Sequence, residues 1–484
     1  MPNDHDGAPV WPAFDIWEAA QQLRAGAVSS VDIVEAHLAR IDRLDGTLKA
    51  CVTVMRDEAV AAARRVDLAL RRRDAGTSPL LGMPIAVKDN FETAGVRTTA
   101  GSPSLSDYIP TNDAVSVQRL RAAGAVIVAK VNLDEFAMGG TSANPVCGAT
   151  LNPWDAQSVP GGSSGGSGAA VAAGMCMAAT GSDTGGSIRN PSAWCGVAGL
   201  KPTYNAIDPR GVIPLAWSLD TVGFLARTNA DCAVLFAETA DNWTVRPDTE
   251  KLAFIEGVRA ADLTRRPRLL LADNVVELAE PSIQAPFRAA VERLRDVADI
   301  ESDELPRLDD ALLATMVIIL SEGSAAWETG IRSSWERYGK PVRALLDLGR
   351  LIRAAEYVHA QRMRESIRRE IGRLFQKYDA ILMPSMGIAP RPGVFDEGSV
   401  VLDSPMWHLE AKFTCIWNLT GAPVLSLPCA FTSDGRPFAI QIAAPANDEE
   451  RLLRLGGVIE SALAIPRTAL IPTWVRSMLG REVA

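Results

Sequence analysis

Two glycine-rich segments that each carry a conspicuous serine constrain this chain more than any other feature. Ser163 lies in the first segment, 160–168 (PGGSSGGSG), and Ser187 lies in the second, 181–189 (GSDTGGSIR). Glycine admits positive φ and lets backbone amides approach a ligand closely, so two such segments predict a built anion site. Lys88, in the run PIAVK, could supply the base that activates a serine nucleophile in such a site.

The first glycine-rich segment matches two nucleotide-binding motifs only in part. A phosphate-binding loop, GxxxxGK[ST], requires lysine at the position of Ser167, and the dinucleotide motif GxGxxG requires glycine at the position of Val171. A flexible Gly/Ser linker is a third interpretation. The apolar, helix-forming sequence that flanks the segment disfavours a linker.

The same segment also matches the nucleophile elbow GxSxG of α/β-hydrolases over residues 162–166, with Ser164 as its serine. That chemistry needs a histidine base further along the chain, where only His359 and His408 remain. The elbow leaves Lys88 and the second glycine-rich segment without a role. A Ser-His-Asp esterase therefore stays a minor alternative.

A serine–lysine pair is a known substitute for serine–histidine, and it uses both glycine-rich segments and Lys88. The lysine must be largely neutral near pH 7, which requires burial or a nearby cation. The apolar run 85–87 before Lys88 favours burial. The competing interpretation is a lysine at a strand end that pairs with Asp89.

The hydrophobic pattern divides the chain into a helical N-terminal segment, 1–75, and one large domain, 76–484. Within the large domain we expect a core built from 80–235 and 415–460, with a variable insertion at about 245–410 that supplies much of the substrate pocket. Helices alternate with short apolar strands in the core, which predicts an α/β fold with helices on the faces of a sheet.

Composition and charge limit the partners and the compartment. A net charge of −9 argues against a nucleic-acid partner, because phosphate binding needs a basic face. The seven cysteines form no CxxC pair or metal-ligand spacing, which is typical of free thiols in a reducing compartment. The N-terminus lacks the order of a signal peptide, and no run approaches about 18 apolar residues. We expect a cytoplasmic protein with no bound metal and no membrane contact.

The three segments together resemble the amidase signature family. The resemblance covers most of 81–226 and returns at 420–451. Its marks are the runs 82–90 (GMPIAVKDN), 132–140 (NLDEFAMGG), 160–168 and 181–203, the last ending in GLKPT. The resemblance implies a large mixed, twisted β-sheet covered on both faces by helices, with no cofactor.

The resemblance also implies a role for each residue of the site. Ser187 would be the nucleophile, Lys88 the general base and Ser163, after a cis peptide bond, the serine that passes protons between them. The remaining implied residues are the oxyanion-hole amides of Thr184, Gly185, Gly186 and Ser187, the supporting residues Ser164, Asp183 and Arg189, and the substrate-pocket residues Met138, Gly139 and Gly140.

Two functional classes share this family pattern: a free-standing hydrolase and the glutaminase subunit of a tRNA-dependent amidotransferase. The subunit usually carries GSSTEN where this chain has 139–144 (GGTSAN), and GRVSR where it has 205–209 (NAIDP). Both departures favour the free hydrolase. Such an enzyme would cleave the C–N bond of an amide, anilide or carbamate, or would hydrolyse an ester. We expect a small-molecule substrate and a chain compatible with a homodimer.

Overall fold

The computed structural model describes residues 14–390 and 405–479. Eleven strands form one mixed sheet in the order β1-β3-β2-β6-β8-β7-β12-β13-β11-β9-β10, and β4 and β5 pair separately. The strands are β1 (Cys51–Val54), β2 (Pro84–Lys88), β3 (Val126–Val131), β4 (Ala143–Asn144), β5 (Gly148–Ala149), β6 (Ala178–Asp183), β7 (Ala198–Lys201), β8 (Thr221–Ala226), β9 (Arg268–Ala272), β10 (Asp299–Asp303), β11 (Ala380–Pro384), β12 (Val424–Phe431) and β13 (Pro437–Ala443).

Helices connect the strands and cover the sheet. They are α1 (Ile16–Arg24), α2 (Ser30–Leu48), α3 (Arg56–Arg72), α4 (Val115–Ala122), α5 (Gly165–Ala172), α6 (Arg189–Cys195), α7 (Asn229–Thr239), α8 (Asp241–Thr244), α9 (Asp248–Arg259), α10 (Asp273–Leu278), α11 (Pro281–Leu294), α12 (Leu308–Ser334), α13 (Lys340–Leu351), α14 (Ala354–Leu374), α15 (Pro405–Thr420), α16 (Glu449–Leu463) and α17 (Thr473–Leu479).

The sheet separates two hydrophobic cores, as the alternation of side chains along β2 illustrates. Ile85 and Val87 belong to one core, with α7, α9 and α16, whereas Ala86 belongs to the other, with α2, α3 and α5. Successive side chains of a strand point to opposite faces, so each face of the sheet needs its own layer of helices. The predicted α/β architecture, a large mixed sheet with helices on both faces, is confirmed.

Parallel pairing gathers the polar residues of the predicted site at one edge of the sheet. β2 pairs in parallel with both β3 and β6, so the carboxyl ends of these three strands lie side by side. Lys88 ends β2, Asp183 ends β6, and Asp134 follows β3. Crevices outside the carboxyl ends of strands are the common location of ligand sites in open α/β sheets.

The segment 245–410 contributes more than loops. Its strands β9, β10 and β11 join the same sheet as the core, and the N-terminal segment 1–75 adds β1. By length and composition one helix of the described part, residues 308–330 within α12, could cross a membrane; half of its most apolar window is buried in this protein. It packs against α13, α14 and α15.

Candidate active site

Lys88 contacts two serine hydroxyls in the interior of the protein. Its Nζ lies 2.8 Å from Ser163 Oγ and 2.9 Å from Ser182 Oγ. Asn90 Nδ2 donates to the same Ser182 oxygen at 3.2 Å. The structure therefore brings Lys88 and Ser163 together although 75 residues separate them in the chain.

Burial sets the protonation of this lysine. Lys88 is fully buried, and the loss of hydration lowers its pKa to about 7, against the opposing charges of Asp134, Asp183 and Asp220. About half of the lysine is then neutral at pH 7, so it can accept a proton. Burial, one of the two causes that the sequence suggested, is the one that operates.

Lys88 does not pair with Asp89, the competing interpretation of the sequence. Asp89 Oδ1 lies 3.1 Å from the buried ammonium of Lys130, and its Oδ2 accepts hydrogen bonds from the amide and hydroxyl of Thr99. The carboxylate is committed to these partners. The amine of Lys88 stays directed at the serines.

Ser163 follows a backbone position that has no space for a side chain. The Gly162–Ser163 peptide bond is cis, as the family resemblance implies. A Cβ at position 162 would overlap the carboxylate of Asp134 and the carbonyl carbon of Gly140. Only glycine lets the backbone at position 162 lie this close to the Asp134 carboxylate and to the backbone of Gly140.

Ser187 lies in the turn between β6 and α6 and is 9% exposed, at the surface of a cavity. Its carbonyl oxygen accepts a hydrogen bond of 3.1 Å from the amide of Ser164, which joins the two glycine-rich segments. Within the described residues its hydroxyl has no hydrogen-bond partner, so the hydroxyl is available to a ligand in the cavity.

Three of the four predicted oxyanion-hole amides are uncommitted. Across the described residues the amides of Thr184, Gly185 and Ser187 donate no hydrogen bond to the protein. The amide of Gly186 differs from the prediction, because it donates to Asp183 Oδ1 at 2.8 Å. Gly186 instead serves the shape of the turn: its φ of +134° favours glycine, and a Cβ there would crowd Thr414.

Asp183 and Arg189 form the supporting contact that the sequence predicts. Arg189 donates from Nε and Nη2 to Asp183 at 3.0 and 2.8 Å, and both side chains are fully buried. Although burial raises the pKa of Asp183, the guanidinium more than reverses this and holds the pKa well below its usual range. Arg189 also donates to the side chains of Gln441 and Asn418. The ionised pair therefore anchors the turn that carries Ser187.

The hydroxyl of Ser164 hydrogen-bonds to the other glycine-rich segment. It donates to the carbonyl oxygen of Ser182 at 3.3 Å. His359 is exposed on α14, and the side chain of His408 lies outside the described residues. Within the part of the chain that is described, nothing assembles an esterase triad around Ser164.

The cavity in front of Ser187 includes the three predicted pocket residues, Met138, Gly139 and Gly140. The helices α12, α13 and α15 supply the opposite wall. Its side chains are mostly apolar, with Thr315 and Glu410 as exceptions; the wall consists of Thr315, Met316, Ile319, Leu320, Leu345, Glu410, Ala411 and Cys415.

Several residues of the site were missed from the sequence. They are Asn90, Ser182, Thr414, Asn418, Gln441 and Glu410. Asn90 and Ser182 lie inside the recognised motifs, so their polarity was an available signal. The others come from α15 and β13, more than 220 residues from Ser187, where no local pattern marks them.

Comparison with known proteins identifies the family. The amidase family model matches residues 32–453. The A subunit of the glutamyl-tRNA(Gln) amidotransferase from Synechococcus sp. (strain CC9605) is 37% identical, and the match covers 93% of this chain and 98% of that one. The chain belongs to the amidase family, an enzyme family that acts on C–N bonds.

Solved structures agree with this assignment. One, from a vestigial protein complex described in connection with the origins of an s-triazine catabolic enzyme, is 31% identical with a TM-score of 0.83, over 93% of this chain and 98% of that one. The A subunit of the glutamyl-tRNA(Gln) amidotransferase from Thermotoga maritima is 28% identical with a TM-score of 0.74, over 93% and 94%.

These relatives overturn the prediction of a free-standing hydrolase. Relatives at 37% identity over nearly the whole chain are named as amidotransferase subunits. The two departures, 139–144 and 205–209, misled because each covers only a few residues; most of the second is accessible to solvent. The expectation of a small-molecule partner alone, with a homodimer and no nucleic acid, is wrong on the same finding. The relatives favour the glutaminase subunit, which was the alternative.

Proposed function

We propose that this chain is the amide-cleaving subunit of an amidotransferase and that it hydrolyses a carboxamide by acyl transfer to Ser187. The contact of 2.8 Å between Lys88 Nζ and Ser163 Oγ carries the proposal, because it places a half-neutral amine next to a hydroxyl relay. The names of the relatives supply the physiological setting.

Acylation begins when neutral Lys88 accepts the proton of Ser163. Ser163 in turn accepts the proton of Ser187, a step for which the two hydroxyls, which are not hydrogen-bonded to each other in this structure, would come within hydrogen-bond distance when substrate binds. Ser187 Oγ forms a bond to the amide carbon, and the carbonyl oxygen takes the negative charge. The free amides of Thr184, Gly185 and Ser187 would stabilise that charge, each such donor being worth about 3–4 kcal/mol in the transition state.

The relay then works in reverse. The proton held by Lys88 returns through Ser163 to the nitrogen, the C–N bond breaks, and ammonia or an amine leaves an ester on Ser187. Water, losing its proton to the same relay, attacks this ester, and Ser187 regains its proton as the acid departs. In an amidotransferase the ammonia would pass to an acceptor on another subunit.

The direct test is ammonia release from L-glutamine by the wild type and by Ser187→Ala, alone and with the other subunits of the amidotransferase from the same source. We expect release by the wild type that increases when the subunits assemble, and none by the variant. Release that is equal in the two proteins would refute the proposal.

A second candidate reaction at the same site is cleavage of aryl amides, esters or urethanes. The apolar wall formed by Met316, Ile319 and Leu345 favours it, because an aryl or alkyl group would bury apolar surface there. A panel of p-nitroanilides, aryl esters and aryl carbamates tests it. Turnover of the panel with none of glutamine would favour this reaction over the first.

The compartment is also part of the proposal. All seven cysteines are free, and five of them are buried. Unpaired thiols in this number support a reducing, cytoplasmic compartment. Fluorescence microscopy of a tagged full-length chain in its source cells would test this, and a signal confined to an oxidising compartment would contradict it.

A further inference from the structure

Glu410 lies in the cavity wall and has no role in the chemistry described above. The residue is 7% exposed and lines the same cavity as Ser187. Its Oε2 would lie 3.1 Å from a Cβ at position 140, so the carboxyl group lies against Gly140 in the predicted pocket. Among the described residues none forms a hydrogen bond with this carboxyl group. Buried polar groups are nearly always hydrogen-bonded, so an unpartnered one at a cavity points to a ligand.

The surroundings of Glu410 favour its protonated, neutral form. Burial, together with a smaller effect of the nearby carboxyl of Asp134, raises its pKa to about 8. On the same helix, burial raises the pKa of the Cys415 thiol to about 12, so the thiol is neutral. Lys412 is paired with a carboxylate of α12, its Nζ lying 2.6 Å from Asp309 Oδ1. The facing cavity residues of α12 and α13 carry no charge.

A carboxylic acid that keeps its proton is a hydrogen-bond donor, whereas a carboxylate only accepts. Apart from the hydroxyl of Thr315, the rest of this wall is mostly apolar, so a donor at Glu410 would help to fix the orientation of a bound molecule. Ligand pockets commonly combine an apolar lining with a few placed polar groups that confer specificity.

We propose that Glu410 is a specificity-determining residue, which donates a hydrogen bond from its neutral carboxylic acid to an oxygen acceptor on the substrate. The substrate class is then amides that carry a second oxygen acceptor besides the scissile carbonyl. This inference rests on the proposed function, since it concerns the substrate of the same site. Glutamine, with its α-carboxylate, belongs to this class.

The test takes the ratio of kcat/KM for two matched substrates, so that the effect of Lys88 titration cancels in the ratio. The probes are p-nitroanilides of keto-acids of increasing chain length, each paired with an analogue in which =CH2 replaces the ketone oxygen. At pH 6.5 we expect the wild type to prefer the best ketone about tenfold in kcat/KM, mainly through KM, as one lost hydrogen bond would cause. The preference should fall toward unity as the pH rises through about 8.

Two variants separate donation from burial. Glu410→Gln keeps a neutral donor, so it should retain the preference and lose its pH dependence. Glu410→Leu should lose the preference at every pH. The matched controls are Glu35→Gln and Glu35→Leu on the exposed side of α2, which should behave as the wild type.

Three results would overturn the inference. They are a preference that survives in Glu410→Leu, the absence of any preference in the wild type at pH 6.5, and a preference that grows above pH 8. The last would assign the preference to a donor other than Glu410, because an ionised carboxylate cannot donate to a ketone oxygen. If no amide is hydrolysed, the proposed function fails separately. In that case the affinities of Ser187→Ala for the ketone amides and for their =CH2 analogues, measured by calorimetry, still test the role of Glu410.

Discussion

Asp183 and Arg189 form a fully buried ion pair, with Arg189 Nη2 2.8 Å from Asp183 Oδ1, directly behind the turn that carries Ser187. The same carboxylate accepts hydrogen bonds from the amides of Gly186 and Ile188, at 2.8 and 3.0 Å. The pair thus holds the backbone on both sides of Ser187. The position of Ser187, the proposed nucleophile, therefore depends on two charged side chains that do not line the cavity.

Replacing Asp183 with asparagine should therefore destabilise the whole protein. The change leaves the Arg189 guanidinium buried without its counter-charge, which typically costs about 3–5 kcal/mol. Urea unfolding measures it. The control is Asp42→Asn, whose exposed contact with Arg56 should contribute nothing measurable. A loss below about 1 kcal/mol for Asp183→Asn would show that the pair does not support the turn.

The ion pair also shows what the sequence could predict. Asp183 and Arg189 share one glycine-rich segment, so their contact was predictable at a separation of six residues. Their other partners were not, because Asn418 and Gln441 reach Arg189 from 229 and 252 residues away. Only the pairing of strands and helices brings such residues together.

Gly162 should tolerate no side chain. In Gly162→Ala the new methyl group would overlap Asp134 and the backbone at Gly140, so we expect loss of amidase activity and a lower melting temperature. The matched control is Gly372→Ala on the exposed face of α14, where a Cβ meets nothing within 4 Å. That variant should keep activity and gain up to about 1 kcal/mol from helix propensity. An active Gly162→Ala of wild-type stability would contradict the described packing.

Thr414 should affect kcat by holding in position the turn that carries Ser187. Its Oγ1 donates to the carbonyl oxygen of Gly185, between two of the proposed oxyanion-hole donors. Thr414→Val removes this bond and keeps the volume, so we expect kcat to fall about tenfold, the effect of one lost hydrogen bond, with KM little changed. Thr414→Ser should restore most of kcat. If Thr414→Val raised KM alone, the residue would act in binding instead.

The pocket wall and the biological setting were the parts that the sequence could not give. Met138, Gly139 and Gly140 were predictable because they lie inside a recognised motif. Glu410 lies in 245–410, where no motif marks a position. Its significance comes from burial with no hydrogen-bond partner among the described residues. The prediction of a free hydrolase was wrong because two short motifs carry less information than sequence identity over the whole chain.

In the proposed mechanism a buried, half-neutral Lys88 activates Ser187 through Ser163. Labelling with an alkyl fluorophosphonate measures this without the natural substrate, because the activated serine displaces fluoride and keeps the phosphonyl group. The rate should rise with pH through about 7 and level off above it, since Lys88 becomes a base only as it loses its proton.

The decisive measurement is this labelling rate from pH 5 to pH 9, with the adduct located by peptide mass spectrometry, in the wild type, Lys88→Met and Ser163→Ala. We expect an adduct on Ser187 alone and a rate at least about a hundredfold lower in both variants, as loss of general-base catalysis requires. An adduct on Ser164, or a rate in Lys88→Met that matches the wild type, would contradict it.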